Sequence, residues 1–195
     1  MTQSVQSIRE RVRMWRSDLD ASTRSRAAGD LADRGAGWEA LTSARHLGAY
    51  VAVDGEVDPA PLVERLGAIG AQPHLPVLDC DRLRFALDDA PETRRANRFG
   101  ILEPTGPTVD ATRLDVVLVP LVAVDHRGNR LGFGAGYYDR TFSALAGGTR
   151  PARPLLIGLA YDEQVVDTLP AQPWDVPLDA LLTPTRRLGF SVPVG

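Results

Sequence analysis

The chain has 195 residues, 44% hydrophobic and 24% charged, with a formal net charge of -3. That composition suits one domain, 1–195, large enough to bury a core without disulfides or metals, and it argues against a nucleic-acid partner. The single cysteine, Cys80, excludes an intrachain disulfide, and no stretch is apolar enough to span a bilayer, so a cytosolic protein with no membrane partner is expected; a monomer is the working expectation, with an oligomer left open.

Val5, Ile8, Val12 and Trp15 recur at helical spacing and predict an amphipathic first helix. Arg9, Arg13 and Arg16 follow the same spacing beside that stripe, so their guanidinium groups share a face. A second helix is predicted from Ala21 to Arg34, ended by Gly35 and Gly37. His46 to Val53 reads as a strand, Asp54-Gly55 as a turn, and Pro59 to Leu66 as a helix with Asp58 as its cap. Strands are predicted at His74–Leu78 and Leu83–Leu87, followed by a polar surface loop from Asp88 to Asp110. Leu114 to Val124 is too continuously apolar to have a wet face and is predicted as the central strand. A helix is expected from Tyr137 to Ala146, stopped by Gly147-Gly148, then strands at Pro154–Tyr161 and Ala180–Thr183 and a loosely held tail after Arg187. Strands alternating with helices predict an α/β domain with a mostly parallel sheet covered on both faces.

The segment carrying the chemistry runs from Leu114 to Arg140. The apolar run ends at Asp125, a loop holds Gly128, Gly132, Gly134 and Gly136, and Tyr137-Tyr138-Asp139-Arg140 follows. A buried strand feeding a glycine loop that opens a helix can bind an anion, because glycine lets backbone N–H groups approach a phosphate. The spacing fits neither the dinucleotide fingerprint nor the Walker A pattern. All 22 basic residues are arginine, so any role that needs a lysine must fall to another group.

Gly128-Asn129-Arg130-Leu131 and Gly136-Tyr137-Tyr138-Asp139-Arg140 resemble the motif GNRLGRGxGYYDR of the 5-formyltetrahydrofolate cyclo-ligase family, also called methenyltetrahydrofolate synthetases. Three further segments resemble that family in the same order: Tyr50 to Asp58, Phe99 to Pro104, and Trp174 to Asp179. The resemblance implies a three-layer α/β/α fold of the sugar-phosphate isomerase and CoA transferase type. It also implies ATP-dependent cyclisation of 5-formyltetrahydrofolate to 5,10-methenyltetrahydrofolate, with ATP as co-substrate and Mg²⁺ as cofactor.

Residue by residue, the resemblance implies that Arg9, Arg130, Leu131, Gly132, Phe133, Gly134, Ala135, Gly136, Tyr137 and Tyr138 surround ATP. Arg130 and Tyr138 are the implied catalytic residues. Val51, Glu56 and the stretch Phe133, Gly134, Ala135, Gly136 and Tyr137 would meet the folate. Asp139 and Asp175 are the implied metal ligands, with Asp179 the alternative to Asp175. Each has a plainer role available: a salt bridge for Arg130, a helix cap for Asp139, a turn for Glu56. His74 sits where the family's substrate-pocket strand begins.

The chain also departs from the pattern. Phe133 stands where the family loop usually carries an arginine, Ala135 where many members carry a second cation, and Val5 at the position of a lysine. Two readings stay open at this point: other arginines serve an ordinary enzyme, or the chain is a diverged folate- or nucleotide-binding relative with weak or no activity.

Overall fold

The computed structural model of the chain describes residues 4–146, 148 and 151–190. Its helices are α1 (Val5–Asp18), α2 (Ala21–Ala36), α3 (Glu39–Thr42), α4 (Ala60–Ala68) and α5 (Tyr137–Thr141). The first strands are β1 (His46–Gly48), β2 (Gln72–Asp79), β3 (Arg82–Leu87), β4 (Arg95–Ala96), β5 (Leu102–Glu103) and β6 (Thr108–Val109). Then come β7 (Val116–Pro120), β8 (Ala123–Asp125), β9 (Arg130–Leu131), β10 (Leu155–Leu159), β11 (Val165–Val166), β12 (Ala180–Leu182) and β13 (Arg187–Gly189).

The large sheet has the order β13-β12-β10-β7-β1-β2-β3-β6. Its centre is parallel, from β12 through β10, β7 and β1 to β2, and antiparallel strands close both edges. The side-chain alternation of β7 shows why both faces are dry. Val116 and Leu118 enter one core with Leu31, Leu62 and Leu66 of α2 and α4, while Val117 and Val119 enter another with Phe85, Phe142 and Leu178. A third cluster seats Ile8 and Val12 of α1 on Val122 and on Ala123 and Leu131 of the small sheet β11-β8-β9. Ser4 and Asp20 cap α1 and α2 by accepting the N–H groups of Ser7 and Thr23.

The predicted central strand is the largest departure from expectation. Leu114–Val124 is two strands in two sheets, with the break at Leu121-Val122. There the chain leaves its neighbours, and side chains satisfy the freed carbonyls: Gln164 Nε2 donates to both Leu121 O and Val122 O, and Arg16 Nη2 donates to Leu121 O. Hydrophobicity alone could not show the break, because Val116 to Val119 and Leu121 to Val124 are all buried apolar residues.

Other boundaries shift for local reasons. The strand expected over His46–Val53 ends at Gly48, and Ala49 to Val53 runs on toward the Asp54-Gly55 turn. The helix expected over Tyr137–Ala146 ends at Thr141 and passes into a 3-10 turn at Ser143–Leu145; its expected stop at Gly147 lies outside the described residues. The surface loop between Asp88 and Asp110 contains the β4–β5 hairpin and the edge strand β6. The tail expected to be loose after Arg187 pairs antiparallel with β12 as far as Gly189. No described helix is long and apolar enough to cross a membrane.

Candidate active site

The parallel strands β1, β2 and β7 all end at one edge of the sheet, the edge where open α/β sheets place ligands. A cleft of about 810 Å³ lies there, reached by Tyr50 and Val51 after β1, Pro76 and Leu78 of β2, and Pro120 at the end of β7.

The glycine loop is anchored before it reaches the cleft. Asp125 is fully buried and accepts the N–H groups of Arg127, Asn129 and Leu169 and the Asn129 side-chain amide. Asn129 of the motif is therefore a brace rather than a ligand. Gly128 has φ 83, and a Cβ there would lie 2.8 Å from Leu178 O and 2.9 Å from the Phe190 ring, so only glycine fits. Beyond this anchor, Gly132 O accepts from Arg9 Nε at 2.9 Å and Ala135 O from Arg140 Nη2 at 2.8 Å. Among the described residues, no acceptor falls on the N–H groups of Phe133 to Gly136. With the Gly132 and Ala135 carbonyls engaged by arginines, the loop leaves backbone donors for an anion. The dipole of α5 adds little, because that helix has five residues.

Arg130 is almost fully buried and donates to Asp139 at 2.6 Å, with its guanidinium carbon 5.6 Å from the Tyr138 ring centre. Its Nε has no partner. Burial, reinforced by the Glu56 carboxylate, pushes the Tyr138 hydroxyl up, so it stays a neutral O–H at physiological pH.

The opposite wall holds Glu56. The Asp54-Gly55 turn, with φ 49 and 71, folds Glu56 back so that Oε2 accepts the Val53 N–H at 3.1 Å. Oε1 is buried without a partner. Burial raises this carboxyl from 4.5 to about 7, against the opposing pull of the Val53 N–H and the Arg16 charge. Tyr50 beside it is fixed by donating to Val57 O. The β4–β5 hairpin forms the far rim, because Glu103 Oε1 accepts from both Leu78 N–H of β2 and Asn97 Nδ2. Phe99 and Ile101, whose N–H groups donate to Asn97 Oδ1, are thereby held at the cleft.

Arg9, Val51, Glu56, Arg130 to Asp139 and Asp175, all expected from the sequence, line this one cleft. Asp179 does not: it is fully buried and accepts the Leu156 N–H, so it braces β10. His74 is also outside the cleft, buried and edge-on to His46. Sequence reasoning missed Leu169, Pro170, Gln172 and Trp174 in the cleft lining, and Arg16, whose guanidinium lies over the Phe133 ring. The exposed aromatics Phe99, Phe133 and Trp174 all line the cleft, which suits a flat ligand. No group of three or more His, Cys, Asp or Glu side chains able to hold a metal occurs among the described residues.

Residues 1–184 match the family described as the 5-formyltetrahydrofolate cyclo-ligase family. The chain is 38% identical over 154 residues to the 5-formyltetrahydrofolate cyclo-ligase of Escherichia coli, covering 75% of this chain and 81% of that one. It is 33% identical over 189 residues to the 5-formyltetrahydrofolate cyclo-ligase of Haemophilus influenzae, covering 93% and 98%. Among solved structures, the 5,10-methenyltetrahydrofolate synthetase of Aquifex aeolicus aligns with a TM-score of 0.82 at 28% identity, covering 98% of this chain and 95% of that one.

Proposed function

The chain belongs to the 5-formyltetrahydrofolate cyclo-ligase family, and on that premise we propose that it converts 5-formyltetrahydrofolate and ATP into 5,10-methenyltetrahydrofolate, ADP and phosphate. The observation that carries this reading is the meeting of Glu56, the Arg130–Asp139 loop and three exposed aromatics in one cleft. The relatives' names support this reading rather than a diverged binding protein.

The chemistry asks little covalent work of the protein. The formyl oxygen attacks the γ-phosphorus while the bond to the β-phosphate oxygen breaks and ADP leaves. N10 then adds to the resulting N5 iminium carbon and loses its proton. Phosphate departs with the former formyl oxygen, giving the methenyl bridge. The protein's part is to align a weak nucleophile with phosphorus and to stabilise charge spreading over the phosphoryl oxygens.

The N–H groups of Phe133 to Gly136 hold phosphate oxygens, and Arg130, fixed by Asp139, lies beside them. Tyr138 serves as a neutral donor. Glu56 Oε1, the unpartnered buried oxygen, receives folate N–H donors, and its raised titration lets it do so from either protonation state. Asp139 and Asp175 fit Mg²⁺ as hard oxygen donors. Asp139 Oδ1 accepts from Arg130 and from the Val176 N–H, and Asp175 Oδ2 accepts the Gln172 N–H. Two carboxylates form an incomplete shell, which suits a cation that arrives with phosphates. When bound, Mg²⁺ supplies charge neutralisation on the phosphate oxygens.

The test is absorbance of the methenyl product after mixing the full chain with 5-formyltetrahydrofolate, Mg²⁺ and ATP. ATP-dependent product that disappears without Mg²⁺ is the expected result. A folded protein that binds folate but forms no product overturns the reaction, and full activity with the metal chelated overturns the metal assignment.

A further inference from the structure

The cations of the cleft differ in how firmly they are engaged. Arg130 is neutralised by Asp139. Arg140 donates to Asp81 O at 2.6 Å and to Ala135 O, and its guanidinium lies 5.2 Å from the Tyr137 ring centre. Arg9 is tied to Gly132 O. Arg13 has one long ion pair, 3.5 Å to Asp54, with the two side chains 59% and 58% exposed. Such a pair is weak in water and easily exchanged for a better anion.

What does hold Arg13 is Phe133, whose ring centre lies 5.6 Å from its guanidinium carbon. The same ring lies 5.9 Å from the guanidinium carbon of Arg16. Arg16 is 1% exposed, donates to Leu121 O, and keeps Nε and Nη1 without partners. A Cβ on Gly55 would touch its stem at 3.0 Å, so the Glu56 turn closes over it. Its position is therefore fixed from below, and Phe133 lies between a buried cation and an exposed one. The free N–H groups of the loop begin at Phe133 itself.

We propose that Arg13 contacts the polyphosphate of the nucleotide and that Phe133 is the platform that positions it, with Arg16 as the buried anchor of the stack. A cation on helix α1 thus supplies the charge that the uncharged loop residue Phe133 lacks. This rests on the ATP-dependent reading above.

Calorimetric titration of the full chain with ATP and Mg²⁺ tests the arrangement without requiring turnover. Arg13→Gln weakens ATP binding about tenfold to a hundredfold, the size of one charge-assisted contact. Phe133→Leu weakens it several-fold, and the double variant is no weaker than Arg13→Gln alone. Arg13→Gln with Phe133→Arg recovers most of the affinity, since the cation returns to the same place. Folate affinity, read by titration, stays unchanged in the Arg13→Gln protein. An Arg13→Gln protein that binds ATP within twofold of wild type, multiplicative losses of ATP affinity in the double variant, or an equal loss of folate binding in Arg13→Gln each overturns the inference, as does a wild type that binds no ATP. If the expected ATP pattern appears and no methenyl product forms, the proposed reaction fails while the Arg13–Phe133 clamp stands.

Discussion

The two walls of the cleft are built by different physics. On the Glu56 wall, backbone and side-chain hydrogen bonds fix each part: the Val53 N–H on Glu56, Val57 O on Tyr50, and the Leu78 N–H on Glu103. On the loop wall, long arginine side chains do the holding, through carbonyls at Gly132 and Ala135 and through the rings of Phe133, Tyr137 and Tyr138. The first wall is rigid and partly desolvated, which suits recognition of one fixed heterocycle. The second is charged and adaptable, which suits a phosphoryl group whose charge moves during transfer. Substitutions should therefore behave differently on the two sides.

The largest effect is expected on the loop wall. Arg130→Met removes a buried cation from the proposed phosphate site and leaves Asp139 without its partner; kcat should fall about a hundredfold or more. Steady-state kinetics with both substrates checks this, and a change confined to the folate KM would contradict the division between walls.

Next comes the charge of Glu56. Its carboxyl titrates at 4.5 ordinarily and at about 7 in the fold, so between those values the native state holds a proton that the unfolded chain has released. The contribution of this group to stability is therefore greatest below pH 4.5, declines as pH rises toward 7, and levels off above, a span of at most about 3 kcal/mol. Glu56→Gln keeps an acceptor for the Val53 N–H and abolishes the titration. Its melting temperature relative to wild type should rise steadily from pH 5 to about pH 8. A difference that does not change with pH would mean the carboxyl titrates at its ordinary value.

A similar but smaller cost is expected at the rim. Glu103→Ala leaves the Leu78 N–H and the Asn97 amide without their acceptor, for a loss of about 1–3 kcal/mol in denaturant unfolding. It should raise the folate KM more than it lowers kcat, because Phe99 and Ile101 lose their support.

The smallest effect is optical. Of the chain's three tryptophans, Trp38 is buried, Trp15 packs edge-on against Tyr161, and Trp174 is 66% exposed on the cleft. Ligand binding should change the emission of Trp174, and Trp174→Phe should remove that change. A signal that survives the substitution would place the responding tryptophan elsewhere.

Much of this arrangement was legible in the residues. The spacing of Val5, Ile8 and Val12 gave α1, and the glycines with Arg130 and Asp139 marked the loop before any fold was known. Glu56 was visible as an acidic residue on a turn, but its burial and unpartnered oxygen were not. The residues favour Asp175 over Asp179 only narrowly, whereas in the fold Asp175 lines the cleft and Asp179 is buried, accepting the Leu156 N–H of β10. Arg16 was read as a third member of a charged face, and it is one of the most deeply buried side chains.

What the sequence determined by itself is what depends on near neighbours: helical period, turn chemistry at Asp54-Gly55, and the chemical identity of the motif residues. Tertiary structure alone decided which cations would be buried, where the apolar run from Leu114 to Val124 would divide, and that Phe133 would meet Arg13 and Arg16. The physical reason is that burial and cation–π contact depend on which distant surfaces meet. Arg16 and the Leu121 carbonyl it satisfies are 105 residues apart, and no local pattern records such a pairing.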